Sequence, residues 1–177
     1  AAKLLGIDIY LIEPNQVLGK SNRFFLESCK KIFCYSDKIK NFPERFNQKI
    51  IRIDPLVKKD IYNAKKNLKD KKKFHILIIG GSQGASIFDR NLKNSIVNIS
   101  KRNDIKIIHQ TNKKNIPFLS NFYLNYNVDN EIFSYKKNLI DLIKEVDLCI
   151  TRAGASTLAE LSVLNIPFIA VPLPTSK

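Results

Sequence analysis

The sequence lacks the features that would assign it to several common classes of protein. None of its apolar runs approaches the roughly 20 residues of a membrane-spanning helix. Its three cysteines, Cys29, Cys34 and Cys149, do not have the spacing of a metal site, so we predict free thiols, with Cys149 buried in a strand. No nucleic-acid-binding motif and no internal repeat is present. These absences favour a globular protein of a reducing, cytosolic compartment.

Acidic residues are also few. Asp and Glu number 16 against 30 Lys and Arg, which gives a formal net charge of +14. This balance permits nucleic acid, an anionic membrane surface or a phosphorylated substrate as a partner. The abundance of Lys, Asn and Ile is equally what an A+T-rich genome would encode. Because the lysines are dispersed rather than grouped, we predict no nucleic-acid partner.

Apolar runs alternate with helical segments, which predicts parallel sheets with crossover helices, an α/β fold of Rossmann-like type. Residues 113–127 are predicted to form a loop because they contain Pro117 among mixed polar residues. The predicted strands are 7–12, 32–35, 50–53, 74–79, 105–110, 130–134, 147–151 and 168–171, and the predicted helices are 22–31, 85–99, 139–145 and 156–164.

The density of Lys and Asn over residues 58–73 predicts a linker or an exposed crossing segment. It would separate a first domain at 1–57 from a second domain at 74–177. The chain opens on what resembles the end of a helix and stops just after a strand, so we expect a partial chain with two incomplete domains.

A glycine-rich stretch, GGSQGA at residues 80–85, follows the most apolar predicted strand. A strand that turns through glycines into a helix directs free N–H groups and the positive end of the helix dipole at one point, which favours an anion. The stretch matches neither the phosphate loop nor the dinucleotide fingerprint. A tight connection without a ligand is therefore an equal alternative.

A second stretch, TRAGASTLAE at residues 151–160, has the same pattern of strand, glycine and helix start. Thr157 and Glu160 have the spacing of a capping box, which would make both residues structural. The alternative is that the Glu160 carboxylate accepts hydrogen bonds from a ribose, as acidic residues do in nucleotide sites. Two anion-binding helix starts in one sheet would suit a diphosphate with an attached ribose.

Two features stand out in the first half. Glu13, Pro14 and Asn15 follow a strand at the end where ligands of α/β sheets bind, although the same residues are common in turns. The helix predicted at 22–31 begins with Arg23, Phe24 and Phe25, a basic and aromatic mixture. It fits either an anionic bilayer surface or a core helix with solvated lysines.

The motifs at 80–85 and 151–160, followed by Pro167 and Pro172, resemble the MurG family, glycosyltransferase family 28. The resemblance implies the GT-B fold, with two Rossmann-like domains around a cleft. It implies transfer of N-acetylglucosamine from UDP-N-acetylglucosamine to lipid I, with inversion, in peptidoglycan synthesis. It implies peripheral attachment at the cytoplasmic face of the bacterial inner membrane and possible contact with other cell-wall synthesis proteins.

The resemblance also implies site residues. Ser82 would contact the diphosphate, Glu160 the ribose, and Asn15 the acceptor side, with Glu13 as a further acceptor-side residue. The uracil contact would lie near Tyr135 and Lys136. The full set of expected substrate-binding residues is Asn15, Lys58, Gly81, Ser82, Gln83, Lys136, Gly154, Ala155, Ser156, Thr157, Leu158, Ala159 and Glu160.

The sequence departs from the family pattern in several places. The loop with the histidine implicated as general base would precede Ala1, and the glutamine-rich donor-sugar motif would follow Lys177. Ile12 and Pro14 replace a usual His and Gln, and Lys58 is a candidate for a family arginine. We expect no cofactor and no metal, and no turnover by this chain alone. Another UDP-sugar transferase of the GT-B type, or a non-catalytic UDP-sugar-binding part, are the alternatives.

Overall fold

The computed structural model describes residues 5–62 and 72–172, in two compact units, Ala1–Leu56 and Val57–Lys177. Each unit contains a parallel sheet with helices, which confirms the predicted α/β class. In the part of the chain that is described, no helix has the length and apolar character needed to cross a membrane.

The first unit contains a parallel sheet of three strands in chain order. Its core consists of apolar side chains around the fully buried Leu26, Ile32 and Cys34. The elements are β1 (Tyr10–Glu13), α1 (Lys20–Phe25), β2 (Lys31–Cys34), a 3-10 helix (Glu44–Lys49) and β3 (Ile50–Arg52).

Helix α1 is shorter than predicted and contributes no buried residue. Phe24 is 79% exposed and Phe25 is 44% exposed, whereas Leu26, just after the helix, is fully buried. The interpretation of this segment as a core helix is therefore wrong for its two phenylalanines.

The second unit contains five parallel strands in the order β6-β5-β4-β7-β8. The central strand, β4, is buried on both faces, as its unbroken apolar run predicts: Leu77 and Ile79 belong to one core cluster, and Ile76 and Ile78 belong to the other. The elements are α2 (Lys59–Tyr62), β4 (Phe74–Ile79), α3 (Gly81–Asn91), α4 (Lys93–Ser100), β5 (Ile105–Gln110), a 3-10 helix (Lys113–Asn115), α5 (Ile116–Asn125), β6 (Asp129–Phe133), α6 (Leu139–Ile143), β7 (Leu148–Arg152), α7 (Ala155–Val163) and β8 (Phe168–Val171).

Two local predictions are wrong in this unit. The predicted loop at 113–127 contains α5, because Pro117 falls in the first helical turn, where a missing N–H costs nothing. Leu119 and Tyr123, four residues apart, bury one face of this helix. The single helix predicted at 85–99 is two helices, α3 and α4, which meet at Leu92.

The predicted linker at 58–73 falls largely on residues outside the described part and stays a prediction. Its first residues form α2, in which Ile61 is fully buried in the core of the second unit. The predicted thiols are confirmed, since Cys29, Cys34 and Cys149 are all free and buried. Burial raises the pKa of Cys149 to about 12, and burial with the nearby Glu13 charge raises the pKa of Cys34 to about 11.

Candidate functional site

The carboxyl ends of β4, β5, β6 and β7 lie along one edge of the second sheet, because all five strands are parallel. At this edge α3 begins at Gly81, with only Gly80 between it and β4. The glycine-rich stretch is therefore the first turn of the helix and not a loop before it. In an α-helix the first four N–H groups have no partner within the helix, so those of residues 81–84 can bind an anion.

The structure describes the backbone of residues 81–85 but not their side chains. The expected roles of Gly81, Ser82 and Gln83 therefore stay predictions.

Helix α7 follows β7 at the same edge, and its start differs from the predicted capping box. Gly154 is the N-cap residue, and no side chain caps the helix. Thr157 is the third helical residue and Glu160 the sixth, so Glu160 lies beyond the first turn. The capping-box interpretation is therefore wrong, and the Glu160 carboxylate does not cap the helix.

Residues 154–160, all expected to bind the substrate, include more than one turn of α7, so their side chains face several directions. Ala159 is only 6% exposed and packs inward, so its side chain cannot line an open site. Ser156 is exposed, and Ala155, Thr157, Leu158 and Glu160 are partly exposed. Only some residues of the run can reach one ligand.

A cavity of about 480 Å³ lies in the second unit and brings together three of the expected residues, Lys58, Lys136 and Glu160. They come from the segment before α2, the loop after β6 and helix α7, so the chain fold and not sequence proximity assembles them. The other lining residues are Asp60, Tyr135, Lys137, Asn138, Leu139, Ile140, Asp141 and Lys144.

The charged side chains of this cavity differ in how well they are paired. Lys136 donates to Glu131 and lies 5.7 Å from the centre of the Phe133 ring. Lys58 and Glu160 have no side-chain hydrogen bond or ion pair with any described residue. With no partner in the described part of the chain, the Glu160 carboxylate and the Lys58 ammonium group are available to a polar ligand in this cavity.

Gly154 leaves open space at the start of α7. Its backbone angles, φ −81° and ψ 128°, are accessible to any residue, and a Cβ atom there would meet nothing within 4 Å. The fold therefore does not require glycine at this position, although a ligand that approaches the backbone closely would.

In the first unit, Glu13 is 2% exposed, and its carboxylate accepts four hydrogen bonds. The Gly19 N–H donates at 2.7 Å, the Asn22 side chain at 3.0 Å, and Asn15 donates through its backbone N–H and its side chain. Burial raises the pKa of Glu13, but these hydrogen bonds outweigh it, so the pKa lies below 4.5. The carboxylate closes the loop and presents the exposed Asn15. Its own oxygen atoms are buried and already hydrogen-bonded.

A buried polar cluster in the second unit is absent from the sequence-based predictions. Asp89 accepts hydrogen bonds from Thr111 at 2.6 Å and Asn115 at 2.9 Å. Its other oxygen lies 3.2 Å from His109 Nε2, without the alignment of a hydrogen bond, and His109 Nδ1 lies 3.2 Å from the Tyr123 hydroxyl. Burial raises the pKa of Asp89, but its polar neighbours lower it further, below 3.8.

Strand alternation could have revealed this cluster. His109 lies two residues after Ile107, so both side chains face the same buried side of β5. The cluster ties α3 to the segment after β5, and it thereby fixes the helix that begins at Gly81.

Residues 75–177 match the glycosyltransferase family 28 C-terminal domain. Two relatives are named UDP-N-acetylglucosamine--N-acetylmuramyl-(pentapeptide) pyrophosphoryl-undecaprenol N-acetylglucosamine transferase. That of Pelagibacter ubique is 47% identical over 176 residues, which cover 99% of this chain and 49% of the relative. That of Rickettsia canadensis is 37% identical over 181 residues, covering 99% of this chain and 51% of the relative. The chain spans about half the length of these relatives.

The crystal structure of Acinetobacter baumannii MurG is similar in fold, with a TM-score of 0.75 and 24% sequence identity over 99% of this chain and 48% of that chain. The expected GT-B architecture is thereby confirmed. The family profile covers more than half of the sequence, and the matched residues include both motifs, 80–85 and 151–160. The chain belongs to glycosyltransferase family 28.

Proposed function

We propose that this chain is part of an inverting glycosyltransferase that moves N-acetylglucosamine from UDP-N-acetylglucosamine to lipid I, giving lipid II for peptidoglycan synthesis. The second unit binds the UDP-sugar, and the first unit contributes to the acceptor side through Asn15. The activity would serve cell-wall growth, and through it cell shape and division. The support comes from the family membership and from the names of the two relatives.

The observation that carries the proposal is the cavity that assembles Lys58, Lys136 and Glu160. Its volume of about 480 Å³ is in the range of small-molecule sites. In the proposed complex Glu160 accepts hydrogen bonds from the ribose hydroxyls, Tyr135 and the neighbouring backbone contact the uracil, and Lys58 contributes positive charge.

The role of the carboxyl edge of the second sheet follows from the charge that develops on the leaving group. As the glycosidic bond breaks, the UDP leaving group gains negative charge, and fixed N–H groups at the start of α3 stabilise it. One such preorganised donor contributes about 3 kcal/mol to the transition state. The acceptor hydroxyl requires a general base, and the buried Glu13 does not supply it.

Calorimetric titration tests the proposal and its alternatives. UDP-N-acetylglucosamine should bind more tightly than UDP-glucose, and duplex DNA should not bind. Equal affinity for the two sugars would favour another UDP-sugar transferase of the same fold. Salt-sensitive DNA binding without UDP-sugar binding would overturn the transferase assignment.

We propose further that these 177 residues, which span about half of the length of the relatives, bind the UDP-sugar but do not turn it over by themselves. An assay with lipid I and labelled UDP-N-acetylglucosamine should show no lipid II. Measured lipid II formation would contradict this part of the proposal.

We propose that the first unit contacts a membrane surface peripherally, at the cytoplasmic face of the bacterial inner membrane where lipid I would be presented. Phe24 and Phe25 are exposed on α1 beside the basic Lys20 and Arg23. Sedimentation with vesicles should require anionic phosphatidylglycerol, and Phe24→Ser should weaken it. Phe118→Ser, at an exposed phenylalanine of α5, is the matched control.

A further inference from the structure

Arg152, the last residue of β7, has a buried guanidinium group without a partner. All three of its nitrogen atoms, Nε, Nη1 and Nη2, are buried, and none makes a hydrogen bond. The centre of the Phe88 ring of α3 lies 6.0 Å from Arg152 Cζ.

Two other basic side chains do reach carboxylates: Arg45 lies 2.8 Å from Glu27, and Lys73 lies 2.9 Å from Asp129. A buried lysine could lose its proton, but a guanidinium stays charged, so burial without an acceptor is costly. A fixed, desolvated cation without a protein anion is the arrangement expected before an anionic ligand binds.

The position of Arg152 identifies the ligand class. Register pairs Ile79 of β4 with Thr151 of β7, so Arg152 lies beside Gly80, the residue that precedes α3. The guanidinium lies near the ring of Phe88 in α3, the helix whose first N–H groups face the sheet edge. A guanidinium and a row of N–H donors together match the several oxygen atoms of a diphosphate.

We infer that Arg152 is a binding residue for the diphosphate of the nucleotide-sugar, supplying the positive charge that this turn otherwise lacks. The inference rests on the proposed function, because it assumes a UDP-sugar at this edge. It also assigns a guanidinium contact to a residue other than Lys58, which the sequence offers as a candidate for the family arginine.

The test compares UDP, UMP and uridine by calorimetry on the parent chain, Arg152→Gln and Arg152→Lys. Arg152→Gln should weaken UDP binding about 10- to 100-fold, because a charged hydrogen bond is lost, and should change uridine binding less than about twofold. The UDP affinity of Arg152→Lys should lie between those of the parent and Arg152→Gln, because lysine keeps the positive charge but lacks the planar guanidinium group. Arg90→Gln, at an exposed arginine of α3, is the matched control and should match the parent.

The outcomes separate the two proposals. If the parent binds UDP and Arg152→Gln loses UDP and uridine affinity equally, Arg152 is structural and the inference is overturned while the proposed function stands. If the parent binds neither ligand, both are overturned. Should Arg152→Gln fail to fold, nuclear magnetic resonance of the parent chain with 15N-labelled arginine decides. UDP, but not uridine, should shift a solvent-protected Nε–H signal, and no such shift would overturn the inference.

Discussion

Glu13 is the last residue of strand β1 in the first unit and Glu160 lies in helix α7 of the second unit, and the surroundings of their carboxylates are opposite. Glu13 is buried, and four donors surround its carboxylate. Glu160 faces a cavity and has no partner among the described residues. A satisfied carboxylate serves the fold, whereas an unsatisfied one is available to a ligand. Residue type alone would not separate the two roles.

The largest expected effect comes from removing the satisfied carboxylate. Glu13→Ala leaves donors of Asn15, Gly19 and Asn22 without an acceptor, so the free energy of unfolding of the first unit should fall by about 3 kcal/mol or more. Urea unfolding measures this. Glu44→Ala, at an exposed glutamate of the same unit, should change stability by less than about 0.5 kcal/mol. Equal losses would contradict the structural role of Glu13.

Removing the unsatisfied carboxylate should lower ligand affinity and leave stability unchanged. Glu160→Gln should leave the unfolding midpoint unchanged but weaken UDP-N-acetylglucosamine binding about tenfold, because a ribose loses a charged acceptor. Calorimetry and urea unfolding of the same preparation measure both quantities. A loss of stability without a loss of affinity would show that Glu160, like Glu13, has a structural role.

Substitutions at two glycines allow the same comparison, with smaller expected changes in stability and affinity. A Cβ at Gly19 would lie 3.1 Å from Glu13 Oε2, so Gly19→Ala should destabilise the first unit by about 1 kcal/mol. A Cβ at Gly154 meets nothing, so Gly154→Ala should leave stability within about 0.5 kcal/mol while weakening UDP binding a few-fold. Unchanged UDP affinity would show that the ligand does not approach this backbone.

The smallest expected effect concerns pH. Because the folded pKa of Glu13 lies below the ordinary 4.5, its stabilisation is present above that value and is lost as the pH falls through the lower folded pKa. The difference in free energy of unfolding between the parent and Glu13→Gln should therefore shrink in acid. Asp89, whose pKa is also lowered, makes the stability of the second unit fall in acid as well, and Glu13→Gln should leave that fall unchanged. A difference that is constant with pH would contradict the lowered pKa.

The sequence predicts what depends on local pattern. The strand predictions at 74–79, 105–110 and 168–171 coincide with β4, β5 and β8, because apolar runs between polar breaks indicate buried strands. The loop prediction over α5 is wrong because Pro117, which breaks a helix in its interior, lies in the first turn here. The glycine-rich residues 80–84 predict a turn and a helix start at Ala85, whereas α3 begins at Gly81, directly after Gly80.

Local sequence pattern predicts only part of the candidate site. Lys58, Lys136 and Glu160 were expected from a family resemblance, and their convergence on one cavity depends on strand order, which local pattern does not encode. Arg152 and Asp89 were missed because what distinguishes them is burial and pairing, one unpartnered and one surrounded by donors. Both properties arise only when distant segments pack.

The strand order of the second unit also has a kinetic consequence. β4 pairs with β5 early in the chain, but its other neighbour is β7, about 70 residues later, and that loop must close at an entropic cost. The pairing that brings Arg152 beside Gly80 forms only when this long loop closes. During refolding, helix and sheet signals should therefore return before the ability to bind nucleotide, and a fluorescent UDP analogue in stopped flow would separate the two phases.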